Sequence, residues 1–179
     1  MAEKVVIDIG CGSKKTPGAI GVDCARLPGV DVVADLEKEK LPFKDNSVDE
    51  AHAYGFLEHV VNFVPLMEEI WRVLKPGGQM HIMVPHFTDA GAFRDITHRR
   101  FFAYDSFTVF NPNQKEGAVY WYSKARFKTV KRKLIFSKNG ILFYNRLLEP
   151  LFNKIPHVWE NTPLRSFPAQ EFHITIEKI

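Results

Sequence analysis

The sequence predicts an α/β fold built around a mostly parallel sheet, and three observations carry that prediction. Short continuous apolar runs recur through the first half, as in strands buried on both faces. Several of these runs close on an aspartate or a glycine turn. A stretch of helical apolar spacing, with Phe63, Met67, Ile70 and Leu74, stands between two such runs.

Val5-Val6-Ile7-Asp8-Ile9 reads as the first strand, and the runs Gly18 to Asp23 and Val30 to Asp35 read as the next two. Glu50 to Tyr54 is the fourth. The helix that follows has Pro65 near its start, and its Met67 and Trp71 are core residues. It stops at Lys75-Pro76-Gly77-Gly78, where proline cannot continue a helix and glycine takes a left-handed turn. Gln79 to Val84 is the fifth strand. After Pro85 the rhythm fails: residues 86–118 are aromatic, basic and rich in turns, with a short helix expected around Asp105 to Phe110. Arg126 to Phe136 reads as a long strand with Lys128, Lys131 and Lys133 on one face. Ile141 to Phe152 has helical spacing, and His173 to Ile179 alternates like a closing strand. No repeat or low-complexity linker interrupts residues 1–179, so a single domain is expected.

Composition removes several classes. With 45% hydrophobic, 13% aromatic and 25% charged residues, the chain is neither disordered nor collagen-like nor a coiled coil. No apolar run approaches the ~20 residues of a membrane-spanning helix. Met1-Ala2-Glu3-Lys4 leads straight into a strand and does not read as a signal peptide. Two cysteines, Cys11 and Cys24, cannot build a disulfide framework, and no CxxC or HxxxH spacing suggests a metal. A reducing cytoplasm is the expected location. The net charge of +3 is unevenly spread: residues 1–90 hold 9 basic against 14 acidic side chains, and residues 91–146 hold 12 against 3. A basic middle favours an anionic partner, although lysine and arginine also serve simply to solvate a surface.

Asp8-Ile9-Gly10-Cys11-Gly12 follows a buried strand directly. Glycines there let the backbone turn sharply and approach a ligand, and in an open α/β sheet ligands lie at the carboxyl ends of the strands. The third glycine of a dinucleotide fingerprint is missing, and the gap from Asp8 to Asp23 leaves little room for a helix. A nucleoside without a pyrophosphate is the better match. Asp23 and Asp35 stand where acids can take ribose hydroxyls and an adenine amine, though an aspartate at a strand end also serves as a turn residue.

Six segments in order resemble the class I S-adenosylmethionine-dependent methyltransferases. They are Val5 to Gly12, Gly21-Val22-Asp23, Ala34 to Glu37, Leu41-Pro42-Phe43 with Asp45 to Asp49, Phe56-Leu57-Glu58-His59-Val60, and Arg72 to Gly78. The resemblance is to a small subgroup with a shortened helix after the glycine loop. It implies a Rossmann-like, seven-stranded, mostly parallel sheet with helices on both faces and the last strand antiparallel. It implies S-adenosylmethionine as cofactor, with Gly10, Cys11 and Gly12 along the methionine portion and Asp8 reaching its ammonium. Asp23 would hold the ribose, Asp35 and the Leu36 amide would read adenine, and Tyr54 and Gly55 would pass under the sulfonium.

An activated methyl chiefly needs an in-line nucleophile, aided by a base if the acceptor is a hydroxyl. His98, with Asp95 three residues away, is the candidate catalytic pair. His59, His86, Arg99 and Arg100 are candidate acceptor-binding residues, and residues 86–118 a candidate acceptor-side lid. The expected activity is methyl transfer to a small or medium, anionic acceptor such as a sugar, a lipid-linked precursor or a metabolite. A rival reading is an RNA-binding or RNA-modifying protein using the basic, aromatic stretch 121–133.

Overall fold

A computed structural model of the chain describes residues 4–113, 122–136 and 144–179. Met1 to Glu3, Trp121, the end of the 86–118 segment and the start of the Ile141 to Phe152 helix lie outside the described residues. Seven strands form one sheet: β1 (Val6–Ile9), β2 (Ile20–Asp23), β3 (Val32–Val33), β4 (Val48–Tyr54), β5 (Leu74–Pro85), β6 (Phe127–Phe136) and β7 (Ala169–Lys178). Their order is β3-β2-β1-β4-β5-β7-β6. The first five are parallel, and β7 runs antiparallel between β5 and β6. The expected Rossmann-like sheet with an inserted last strand is therefore present. The chain leaves β1 toward β2 and β3, then returns to β4 on the other side, so a crevice opens at the carboxyl ends of β1 and β4.

Between β1 and β2 the chain makes turns and no helix. Asp8 and Asp31 do the holding instead. Asp8 Oδ2 accepts from the Thr16 amide at 2.7 Å. Asp31 Oδ2 accepts from the Gly21 amide at 2.7 Å and from Lys15 Nζ at 2.6 Å. These bonds replace the packing that a longer helix would have supplied.

Helix α1 (Phe63–Val73) buries Phe63, Leu66, Met67, Ile70 and Val73, one stripe at helical spacing. Its end differs from the expected glycine stop. Leu74 is already extended and pairs with Val48, and the Pro76-Gly77 turn falls beyond it. The last carbonyls are satisfied from two sides: Lys178 on β7 donates its ammonium to Trp71 O at 2.6 Å and to Leu74 O at 2.8 Å, and the Asn46 and Ser47 amides donate to Arg72 O at 3.0 Å and Val73 O at 2.9 Å. A cation there also suits the negative end of the helix dipole.

The one-turn helix α2 (Gly91–Arg94) follows β5, and α3 (Tyr144–Phe152) and α4 (Pro156–Asn161) lie between β6 and β7. A 3-10 turn at Thr108–Phe110 stands where a short helix was expected. The aromatic contacts Phe63–Phe107, Phe107–Phe172, Phe136–Phe152 and Phe136–Trp159 place α1, α3 and α4 on one face of the sheet. Among the described residues, the other face of β4, β5, β7 and β6 carries Glu50, His52, His81, Thr175 and Lys131. Side chains of that kind offer no apolar surface on which a helix could dock. The outer edge of β6 is covered by Asn153, which accepts from Leu134 N at 2.8 Å and donates to Leu134 O at 2.9 Å.

Candidate active site

A cavity of about 370 Å³ opens at the crevice, within the ~300–1,000 Å³ range of small-molecule sites. It is lined by Gly10 after β1, Asp23 and Cys24 after β2, and Ala34 to Glu37 after β3. Gly55, Phe56, His59 and Val60 after β4, with Leu66 of α1, complete the wall. Every lining loop follows the carboxyl end of a strand or opens α1, so the sheet itself gathers the site. Gly10 has a positive φ of 67°, and a Cβ on it would come within 2.2 Å of the Phe56 ring. The turn therefore needs glycine twice over: for its dihedral and for its contact.

Asp23 is set by two backbone donors, Gly12 N to Oδ2 at 2.9 Å and Ala25 N to Oδ1 at 2.9 Å. An ionised carboxylate has about four acceptor positions, so each oxygen retains one for a ligand hydroxyl. Asp35 accepts from the Glu37 amide at 3.1 Å and pairs with Lys38 at 2.7 Å. The Lys38 hydrogen bond holds its carboxyl below the ordinary value. Glu37 accepts from Val61 N at 2.6 Å and Asn62 N at 2.9 Å, which ties the loop after β3 to the start of α1.

Of the expected cofactor residues, Gly10, Asp23, Asp35, Leu36 and Gly55 meet at the cavity. Asp8, Cys11, Gly12 and Tyr54 do not line it. Asp8 is buried beneath the loop it anchors, and Gly12 acts through Asp23. The Cys11 side chain turns inward against Gly21, and burial, then Asp8 and Asp23, pushes its thiol pKa up. The Tyr54 hydroxyl bonds His52 Nδ1 at 2.7 Å on the open sheet face. Sequence reasoning missed Phe56, Val60, Leu66, Cys24 and Glu37. Phe56 and Val60 belong to a motif already noted, and a flat purine needs apolar walls; that need was the available signal.

The expected acceptor side is built by a backbone clamp. Glu58 O, on the 3-10 turn Leu57–His59, accepts from Arg99 N at 2.7 Å and Arg100 N at 3.1 Å. This brings His98 against His59, with ring centroids 4.8 Å apart. His98 Nδ1 donates to Ala92 O at 2.8 Å, which leaves Nε2 with its lone pair. Asp95 Oδ2 lies 3.9 Å from that Nε2, too long for a hydrogen bond. Asp95 instead accepts from Thr97 Oγ1 at 2.7 Å, and Thr97 Oγ1 accepts from His59 Nδ1 at 2.9 Å. Asp95 thus orients His59 rather than His98. Burial pushes the Glu58 carboxyl pKa up.

Two expected acceptor residues are committed elsewhere. Arg100 donates to Val60 O at 3.0 Å and Val61 O at 2.6 Å and lies over the Phe63 ring, so it serves as a clamp. His86 is fully enclosed, with Nδ1 accepting from the Thr88 amide and Nε2 donating to Glu160 at 3.0 Å. It is a core residue and is withdrawn from the acceptor set. Arg99 is exposed.

Glu160 also accepts from Tyr104 N at 2.8 Å. Burial alone would raise its pKa, but the His86 and Tyr104 hydrogen bonds outweigh burial and hold it below the ordinary value. A depressed carboxyl stabilises the fold above its unfolded pKa of ~4.3 and loses that contribution as pH falls through the folded value. Glu160→Gln is expected to cost ~1–2 kcal/mol in urea unfolding at pH 7. The difference from wild type should shrink at pH 4; an equal gap at both values would contradict the assignment.

Three of the six basic residues in the stretch read as a rival RNA site form ion pairs within the fold: Lys128 with Glu177, Arg132 with Asp105 and Lys133 with Glu149. No helix among the described residues is long and apolar enough to cross a membrane.

Residues 7–82 match the family model described as a methyltransferase domain. A segment of 95 residues is 30% identical to the sterol 4-C-methyltransferase strm-1 of Caenorhabditis elegans, covering 41% of this chain and 28% of that protein. The chain thus spans little more than a quarter of that relative. Among solved structures, a SAM dependent methyltransferase from Archaeoglobus fulgidus aligns with a TM-score of 0.59 at 17% identity, over 98% of this chain and 86% of that one. An S-adenosylmethionine dependent methyltransferase from Mesorhizobium loti aligns at 0.55 and 14% identity, over 97% and 90%. The sheet order and the solved structures agree on the fold of the S-adenosylmethionine-dependent methyltransferases, and residues 7–82, which carry the glycine turn against Phe56 and the carboxylate of Asp23, match the methyltransferase domain.

Proposed function

We propose that the protein transfers a methyl group to a small or medium acceptor carrying an ionisable oxygen on a partly apolar body, such as a lipid-linked precursor. The observation that supports this reading is the His59–His98 pair beside the cofactor cavity, both rings presenting Nε2. When bound, the cofactor supplies a methyl group already activated on a sulfonium. His98 Nε2 would take the acceptor proton and so free the oxygen lone pair, while Gly10, Asp23, Asp35 and Gly55 would hold the cofactor that supplies the activated methyl. The same segment carries the exposed Arg99 and three exposed apolar side chains. Phe93 and Phe101 stack at 4.3 Å, and Ile96 is 91% exposed. An apolar acceptor body fits that lip, and the C. elegans relative is named for a sterol. We treat residues 1–179 as one methyltransferase domain with 86–118 as its acceptor-side segment. We place it in the cytoplasm, on its two free cysteines.

Calorimetry with S-adenosylmethionine and S-adenosylhomocysteine, then an acceptor screen with labelled methyl donor, tests the reading. Asp23→Ala is expected to weaken cofactor binding by ~1–3 kcal/mol, the cost of an unpaired polar partner. His98→Ala should keep cofactor affinity and lose transfer. Unchanged affinity in the first variant, or full transfer in the second, would remove that residue from its role.

A further inference from the structure

We propose that Glu58, His59 and His98 form a divalent-metal site of the kind zinc occupies, at the acceptor end of the cofactor cavity. No sequence spacing announces it, because the ligands come from two segments that meet through the Arg99 and Arg100 amides on Glu58 O, the Thr97–His59 hydrogen bond and the Arg100 guanidinium on Val60 O and Val61 O. One ligand atom from each residue lies within 4.8 Å of the other two. Two imidazoles and a carboxylate are a donor set that suits zinc and its neighbours and leaves a coordination position open.

Three further features point to a cation. His98 Nδ1 is committed to Ala92 O, and His59 Nδ1 to Thr97 Oγ1 backed by Asp95. Metal-bound histidines are held in just this way, through the far ring nitrogen by a carbonyl or a carboxylate-backed group. Glu58 is 3% exposed, and its Oε2 has no hydrogen-bond partner. A buried carboxylate oxygen without a donor is costly unless a cation meets it. Ligands on one zinc at ~2.0–2.2 Å stand ~3.3–3.6 Å apart in a tetrahedral site. Binding therefore draws the trio together by roughly an ångström at its widest.

The role of the metal rests on the methyl-transfer reading; its presence does not. With the ion bound, His98 is a ligand and not the base, and the acceptor oxygen takes the open position. Coordination would lower the pKa of that hydroxyl, so its proton would leave to water before the oxygen attacks.

The test uses tag-free protein stripped with chelator and titrated with Zn²⁺ by calorimetry, and with Co²⁺ by visible absorption. One Zn²⁺ per chain should bind with micromolar affinity or tighter, and Co²⁺ should give the intense bands of a four- or five-coordinate ion. His98→Ala and Glu58→Gln should each weaken Zn²⁺ at least tenfold, while His173→Ala, on the open sheet face, should not. Far-ultraviolet circular dichroism identifies a variant that fails to fold, and Thr97→Val, which removes only the support of His59, is then expected to weaken Zn²⁺ several-fold. Equal Zn²⁺ affinity in wild type and His98→Ala, or the weak bands of octahedral Co²⁺, would overturn the site. Cofactor binding with loss of transfer in His98→Ala but no metal would keep the base reading and discard this one. Metal binding without cofactor binding would do the reverse.

Discussion

Gly10→Ala is expected to lower S-adenosylmethionine affinity by at least ~100-fold, an effect of ~2.8 kcal/mol. Two independent costs combine. The residue sits at φ 67°, a left-handed conformation that costs an L side chain ~1–2 kcal/mol. The added Cβ would lie 2.2 Å from Phe56 Cγ and Cδ2, and Phe56 is itself a wall of the cavity. The ring must move, and it can move only within the cavity it shapes. The double variant Gly10→Ala/Phe56→Ala should recover part of the loss, since it removes the clash and keeps the dihedral cost. Calorimetry on both variants checks this. Affinity within threefold of wild type in Gly10→Ala would show that the turn is not part of the cofactor seat.

Trp159→Ala should have the largest effect on stability, ~3–5 kcal/mol, the range for emptying a large buried aromatic site. Trp159 is fully buried, packs on Phe136, Phe152 and His86, and donates Nε1 to Phe167 O at 3.2 Å. It joins α4 and α3 to the end of β6. For a chain of this size the melting temperature should fall by ~6–20 °C. Val158 on the same short helix is exposed, and Val158→Ala should change stability by less than ~0.5 kcal/mol. Cofactor affinity in Trp159→Ala, measured well below its melting temperature, should stay near wild type, because the residue does not line the cavity. A loss below ~1 kcal/mol would mean that the pocket between α4 and β6 refills.

Apolar runs made β1 and β2 legible, because a strand buried in a parallel sheet admits few polar residues, while β4 and β5 were legible from Ala51, Ala53, Met80 and Ile82 alternating with Glu50, His52 and His81. Helix α1 was legible for the same reason, its stripe being local. Helix α4 was not. Pro156 to Asn161 is a single turn and a half whose one buried anchor, Trp159, has meaning only against Phe136. The end of α1 was misread as well, since its cap is Lys178, over a hundred residues away. At the site, Gly10, Asp23, Asp35 and Gly55 could be placed because each follows directly from a strand end. His86 was misplaced because a histidine after a strand looks the same whether it faces a cleft or Glu160.

The sequence by itself determined the sheet, the glycine turn and the two acidic positions, since strand burial, a positive φ and a strand-end carboxylate are short-range requirements written in neighbouring residues. Only the tertiary structure decided the rest. The backbone clamp on Glu58 sets His98 against His59, turns Asp95 toward His59, and spends Arg100 on Val60 and Val61. Those outcomes depend on hydrogen bonds between segments some forty residues apart, and no local pattern in the chain specifies which carbonyl a distant amide will find.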